Sequence, residues 1–107
     1  MNIVLFQGGE PGTLYSMAED ETEGELEELL EGEVEMLPMG RRFLLAVAAR
    51  GEEEHRPIRY AVHRLGREAV PVCGDCAVLA VRQDGSVRSA DAAALEAARE
   101  IVRAVKR

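Results

Sequence analysis

The sequence predicts an α+β fold: a mostly antiparallel sheet of about five strands, with a short acidic helix and a C-terminal helix packed on it. Three observations lead there. Residues 69–81, AVPVCGDCAVLAV, set two apolar arms on either side of a Cys-Gly-Asp-Cys tetrad. The second arm is too apolar for a surface strand and too short and valine-rich for a helix, so it reads as a buried strand entered through a bend at Gly74-Asp75. Turn chemistry recurs between short apolar runs, at Gly8-Gly9-Glu10-Pro11-Gly12 and at Gln83-Asp84-Gly85-Ser86, as hairpins require. After Ser89 the apolar spacing changes to that of a helix.

Taken in order, residues 2–7 (NIVLFQ) have the β-branched and aromatic content of a first strand. The Gly/Pro turn follows, and residues 13–18 return as a second strand, making a hairpin. In DETEGELEELLEG, Thr22 and Glu25 have capping-box spacing, Leu26, Leu29 and Leu30 form one stripe, and Gly32 sits where a glycine cap belongs. A short helix is expected over 23–31. Residues 33–37 alternate charged and apolar side chains as a half-buried strand does, and Pro38-Met39-Gly40 turns the chain. Residues 43–49 (FLLAVAA) are the second fully apolar run and are expected to pair near 77–81, with Leu44 and Leu79 in interior strands. Residues 51–54 are a polar loop.

Residues 58–65 stay open: Ile58, Ala61, Val62 and Leu65 have helical spacing, while Ile58, Tyr60 and Val62 have strand spacing. Asp84-Gly85 suits a tight primed turn returning as a short strand over 86–88. Ser89 is expected to cap a final helix from 90 to about 105. Its stripe is Leu95, Ala98, Val102 and Val105, and Arg103, Lys106 and Arg107 suit its negative end.

At 107 residues, 47% apolar, the chain has the size of one domain with one modest, aliphatic core. It lacks Trp, and Phe6, Tyr15, Phe43 and Tyr60 are its aromatics, so any stacking or hot-spot argument falls on those four. No basic, apolar leader or membrane-length apolar run is present. With two cysteines and no export signal, a reducing cytoplasm is the expectation. All basic residues but Lys106 are arginine, first a mark of GC-rich coding and second a source of forked donors for phosphate and carboxylate.

The net charge of −7 hides a split: residues 1–40 carry −11 with no base, and residues 41–107 carry +4. Duplex-DNA binding is disfavoured, since phosphate contacts need a dense basic face. Cys73-x-x-Cys76 lacks a second close ligand pair, with only His55 and His63 upstream, so zinc is not expected. The pair bridges strand-like arms rather than opening a helix, which is not the thioredoxin arrangement. The two cysteines read as small apolar residues flanking a turn. Ser16, Ser86 and Ser89 have no nucleophile setting, and the Gly8–Gly12 turn is no P-loop. No enzyme and no cofactor are expected.

Two binding features remain. Arg41, Arg42, Arg56, Arg59, Arg64 and Arg67, with Tyr60 and His63, could bind an anionic small molecule such as a nucleotide through bidentate hydrogen bonds. The plainer alternative is a scatter of solvated arginines that softens the acidity. The acidic segment, with Glu23, Glu25, Glu27, Glu28 and Glu31, could imitate a nucleic-acid backbone and fill a basic groove on another protein, such as a host defence protein. Its plainer alternative is a solvated helix face. Self-association of the chain stays open.

The run Val72-Cys73-Gly74-Asp75 with its apolar continuation, the segment LEELLEGEVEMLPMG, the HRLG at 63–66 and the closing Ser-led helix together resemble a family of short proteins classed as a domain of unknown function, carried by phages and conjugative elements of bacteria. The resemblance covers most of the chain. His63-Arg64 departs from the family's Asn-Arg, and the two cysteines are peculiar to this sequence. The resemblance implies a phage or mobile-element protein in a bacterial host, of the kind that counteracts host defences.

Overall fold

A computed structural model describes residues 1–64 and 66–105; Leu65, Lys106 and Arg107, which the predicted stripe and helix end include, lie outside them. The fold is α+β and mostly antiparallel. A six-stranded sheet has the order β2-β1-β7-β4-β3, from β1 (Asn2–Phe6), β2 (Thr13–Ser16), β3 (Val34–Met39), β4 (Phe43–Ala48) and β7 (Cys76–Val81), with β8 (Val87–Arg88) pairing the end of β7. A second sheet of three strands, β6-β5-β9, comprises β5 (Ile58–Val62), β6 (Val70–Cys73) and β9 (Val102–Ala104). The strand alternative therefore holds for residues 58–62.

The expected central pairing is present. Leu44 lies opposite Leu79 and Val47 opposite Cys76. Strict alternation sorts the side chains of β1, β4 and β7 to two faces. Ile3, Leu5, Ala46, Ala77 and Leu79 meet Leu26 and Leu30 of α1 (Thr22–Leu29) and its C-cap on one side. Val4, Phe6, Phe43, Leu45, Cys76 and Val78 meet the small sheet and α2 (Ala92–Ile101) on the other. Burial on both faces is why residues 76–80 carry no polar side chain. Phe6 and Tyr60 make an edge-to-face contact, ring centroids 5.5 Å apart, across the two sheets. The bend at Gly74-Asp75 carries the chain from one sheet to the other, and Asp75 Oδ1 accepts from Gly8 N–H at 3.0 Å, fixing the β1–β2 turn to that bend.

Several local expectations give way to other solutions. The capping box does not form: Glu25 Oε1 instead accepts from Ala18 N–H at 2.9 Å, ahead of the 3-10 turn at Glu19–Glu21. After α1 both Glu31 (φ 57°) and Gly32 (φ 153°) take positive φ, and Gly32 N–H donates to Glu27 O at 2.9 Å, so the expected glycine closes the helix with Glu31 in the left-handed position before it. The carbonyls just past α1 are met by Arg56, whose guanidinium donates to Leu30 O and, at 2.6 Å, to Glu31 O. Pro38 lies within β3 opposite Leu44 rather than in a turn. The β7–β8 loop is not a primed two-residue turn: Arg82 N–H donates to Ser86 O and Gly85 N–H to Arg82 O, with Gly85 alone left-handed (φ 88°). That is a three-residue loop, in which the glycine serves the last position. Gly12 is needed for space, since a Cβ there would lie 2.6 Å from Phe6 Cζ.

The last helix is shorter than expected. Asp91 caps it, Oδ1 accepting from Ala94 N–H at 2.8 Å, while Ser89 Oγ accepts from Asn2 N–H. It ends at Ile101 because Val102 turns extended and pairs with Val62. Val102 is buried as a strand residue, whereas Val105 is 42% exposed. Arg103 Nε still reaches back to the helix, donating to Glu100 O at 2.9 Å.

Two sheet edges carry proline where it matters. Ala49 N–H donates to Glu33 O, so residues 35, 37 and 39 turn their backbone groups to β4, and Val34, Met36 and Pro38 turn theirs outward. Beside β5, Val105 N–H donates to Arg59 O and the backbone N–H of His63 donates to Ile101 O, so Tyr60 and Val62 face β6 and leave Pro71 turned outward. Pro38 and Pro71 each remove a donor from an open edge.

Candidate anion-binding site

The arginines singled out from the sequence do not form one site. Arg41 and Arg42 stand on the β3–β4 turn, and pairing register brings the β7–β8 hairpin beside them: Val81 N–H donates to Arg42 O at 2.8 Å, and Phe43, Ala80 and Arg88 lie in one row across the strands. Arg41, Arg42, Arg82 and Arg88 thus surround an open depression of about 950 Å³, and no carboxylate lines it among the described residues. Arg82 is oriented by Ser86 Oγ (3.2 Å) and Val87 O (3.0 Å). Arg88 donates to Ser89 O and stands 3.8 Å from Asp91 Oδ2. The side chains of Arg41 and Arg42 are exposed, with no ion pair among the described residues. Nearby Asp84 is occupied locally, accepting from both Ser86 Oγ and Ser86 N–H, bonds that hold its carboxyl below the usual range.

The sequence reading missed Arg82 and Arg88. Arg82 lies two residues before Asp84 and Arg88 three after Gly85, and the signal was there: a hairpin returning beside a strand end already rich in arginine. What could not be read was that β4 and β7 would end together.

The other arginines are elsewhere. Arg64 and Arg67 line a separate groove of about 370 Å³ between the two sheets, with Arg64 donating to Pro38 O at 2.7 Å and to Met39 Sδ. Arg59 stands 3.8 Å from Asp75 Oδ1, beside the Gly8-Gly9 turn. Arg56 is committed to the α1 terminus. Tyr60 is withdrawn from any ligand surface: it is fully buried, its hydroxyl donates to Glu10 O at 2.7 Å, and burial pushes its pKa up to about 12. His63 is half-buried at the end of β5, with its N–H donating to Ile101 O.

On α1, Glu23, Glu27 and Glu28 are exposed, as is Glu31 just beyond it, and Glu25 is half-buried on its Ala18 contact. Cys73 and Cys76 are free thiols. Among the described residues no group of three or more His, Cys, Asp or Glu is arranged to hold a metal ion, and no helix is long and apolar enough to cross a membrane. No protein-family model, curated protein or solved structure matches the chain.

Proposed function

We propose that the protein binds a phosphate-bearing anion, such as a signal nucleotide, in the depression between the β3–β4 turn and the β7–β8 hairpin, and holds it without transforming it. The observation that carries this reading is four arginines lining one hollow that no carboxylate lines among the described residues. Four guanidiniums with only Arg88 in an ion pair, to Asp91 at the rim, leave net positive charge that favours an anion, and the planar fork of arginine matches phosphate oxygens two at a time. Arg82 is pre-oriented by its own hairpin and Arg88 by Ser89 and Asp91, while Arg41 and Arg42 enter no ion pair among the described residues. Sequestration of a host's signal nucleotide in a bacterial cytoplasm is the role this binding would serve in the mobile-element setting that the family resemblance implies.

Titration calorimetry with ATP and with inorganic pyrophosphate tests it. The double change Arg41→Ala, Arg42→Ala is expected to weaken binding at least about tenfold, since charge-assisted hydrogen bonds are worth about 1.5–3 kcal/mol each. Arg59→Ala, at a separate place, should change it less than about twofold. Absence of binding at millimolar ligand, or equal sensitivity to all three arginines, rejects the site.

The second reading, a nucleic-acid mimic, is favoured by the exposed Glu23, Glu27, Glu28 and Glu31, which enter no ion pair among the described residues. It predicts the opposite pattern: Glu27→Lys with Glu28→Lys abolishes capture of a basic partner, and the arginine changes do little.

A further inference from the structure

The groove between the two sheets has two arginines against one carboxylate, Glu68, at one end and carboxylates alone at the other. At one end stand Met39, Val62 and Val70 with Arg64 and Arg67, because Arg64 reaches over to Pro38 O and Met39 Sδ. At the other end stand Glu35 and Glu52 beside Cys73. Gly51 packs on Cys73 there, so closely that a Cβ would lie 2.7 Å from Cys73 O. Between the ends the floor is core: Leu45, Val47 and Val72 line it. Leu37 and Val70 form apolar lips, 38% and 60% exposed. Arg67, Glu35 and Glu52 have no side-chain partner among the described residues. Glu68 also lines the groove, next to Arg67 in sequence but not in an ion pair with it.

From these features the geometry points to a second, independent binding site, for a short apolar peptide of three or four residues with free termini. Its carboxylate would meet Arg67 and the free side of Arg64, its ammonium would meet Glu35 and Glu52, and its side chains would cover the aliphatic floor. Length supports this. Four residue steps along β3 separate Glu35 from Met39, roughly 13 Å, and an extended chain of three to four residues spans about 10–14 Å. The groove's volume falls in the ordinary range for small-ligand sites, about 300–1,000 Å³. The proline-blocked edges of β3 and β6 disfavour the usual way of holding a longer peptide, by adding a strand. Recognition therefore falls on the two charged ends, which limits the length.

Titration calorimetry with Leu-Leu-Leu, its N-acetyl form, its C-terminal amide and decanoate tests the assignment. Saturable binding of the free tripeptide is expected, weakened about tenfold or more by either cap. Glu52→Gln should reduce the penalty for acetylation and Arg67→Gln the penalty for amidation. Both side chains are exposed and unpartnered, so the variants should keep the native melting temperature. Arg41→Ala with Arg42→Ala should leave peptide binding unchanged, which separates this site from the arginine depression. No saturation at millimolar tripeptide, equal binding of the doubly capped form, or tighter binding of decanoate than of the tripeptide would each overturn it.

Discussion

Burial pushes the Cys76 thiol up to about 12 from its ordinary 9.0, and it moves the Tyr60 hydroxyl from 10.0 to about 12 against the opposing effect of the Gly9 backbone. Both groups stay neutral in the native state at pH values where the unfolded chain ionises them. The stability that depends on their neutrality is intact below pH 9 and is lost as pH rises from about 9 toward 12. The urea midpoint should hold level from pH 7 to 8 and fall steadily above 9; a level midpoint through pH 11 would contradict the burial of both groups. With one lysine in the chain, few other groups titrate in that window. At pH 8 a disulfide reagent should find one thiol, the half-exposed Cys73, and a second only after denaturation. Arg56→Ala should cost about 1–3 kcal/mol, because two helix-end carbonyls lose their donor. Arg56→Lys should restore little, since one ammonium does not reproduce the fork.

For the elements, Leu79→Ala in β7 should cost about 2–5 kcal/mol, as Leu79 is enclosed between the central sheet and α1. Leu44→Ala should cost less, because Leu44 lies at the margin of that same layer. Pro38→Val returns an outward N–H to the β3 edge, and light scattering should show more concentration-dependent association than in the parent protein. The interior strands were legible because burial on both faces leaves an unmistakable apolar run at residues 43–48 and 76–81. The end of the last helix was not. Val102 and Val105 continue the helical period, and only the pairing partner Val62, forty residues earlier, draws Val102 into a strand. Ser89 was equally persuasive as a cap, but Asn2 claims its hydroxyl from the other end of the chain. In each case a distant segment overrode a good local signal.

Across the whole molecule, the charge split along the sequence becomes a split in space only in part. The acidic α1 covers one face of the large sheet, whereas the arginines divide among a sheet end, the inter-sheet groove and structural posts such as Arg56. That division could not be read from spacing: Arg56 and Arg59 differ by three positions, yet one closes a helix and the other faces solvent. The arginine depression was half legible, through Arg41 and Arg42, and its other half waited on the register that sets Arg88 opposite Ala80.

The strand order also governs when the molecule can assemble. β1 emerges first during synthesis, but its partner β7 follows some seventy residues later, and β5 has no second neighbour until residues 102–104 exist. A growing chain can close the β1–β2 and β3–β4 hairpins alone, and these leave apolar faces open until Cys76–Val81 arrives to join them. Such late, non-local closure slows folding relative to a chain held by local contacts. It also makes β7 the step that commits the chain.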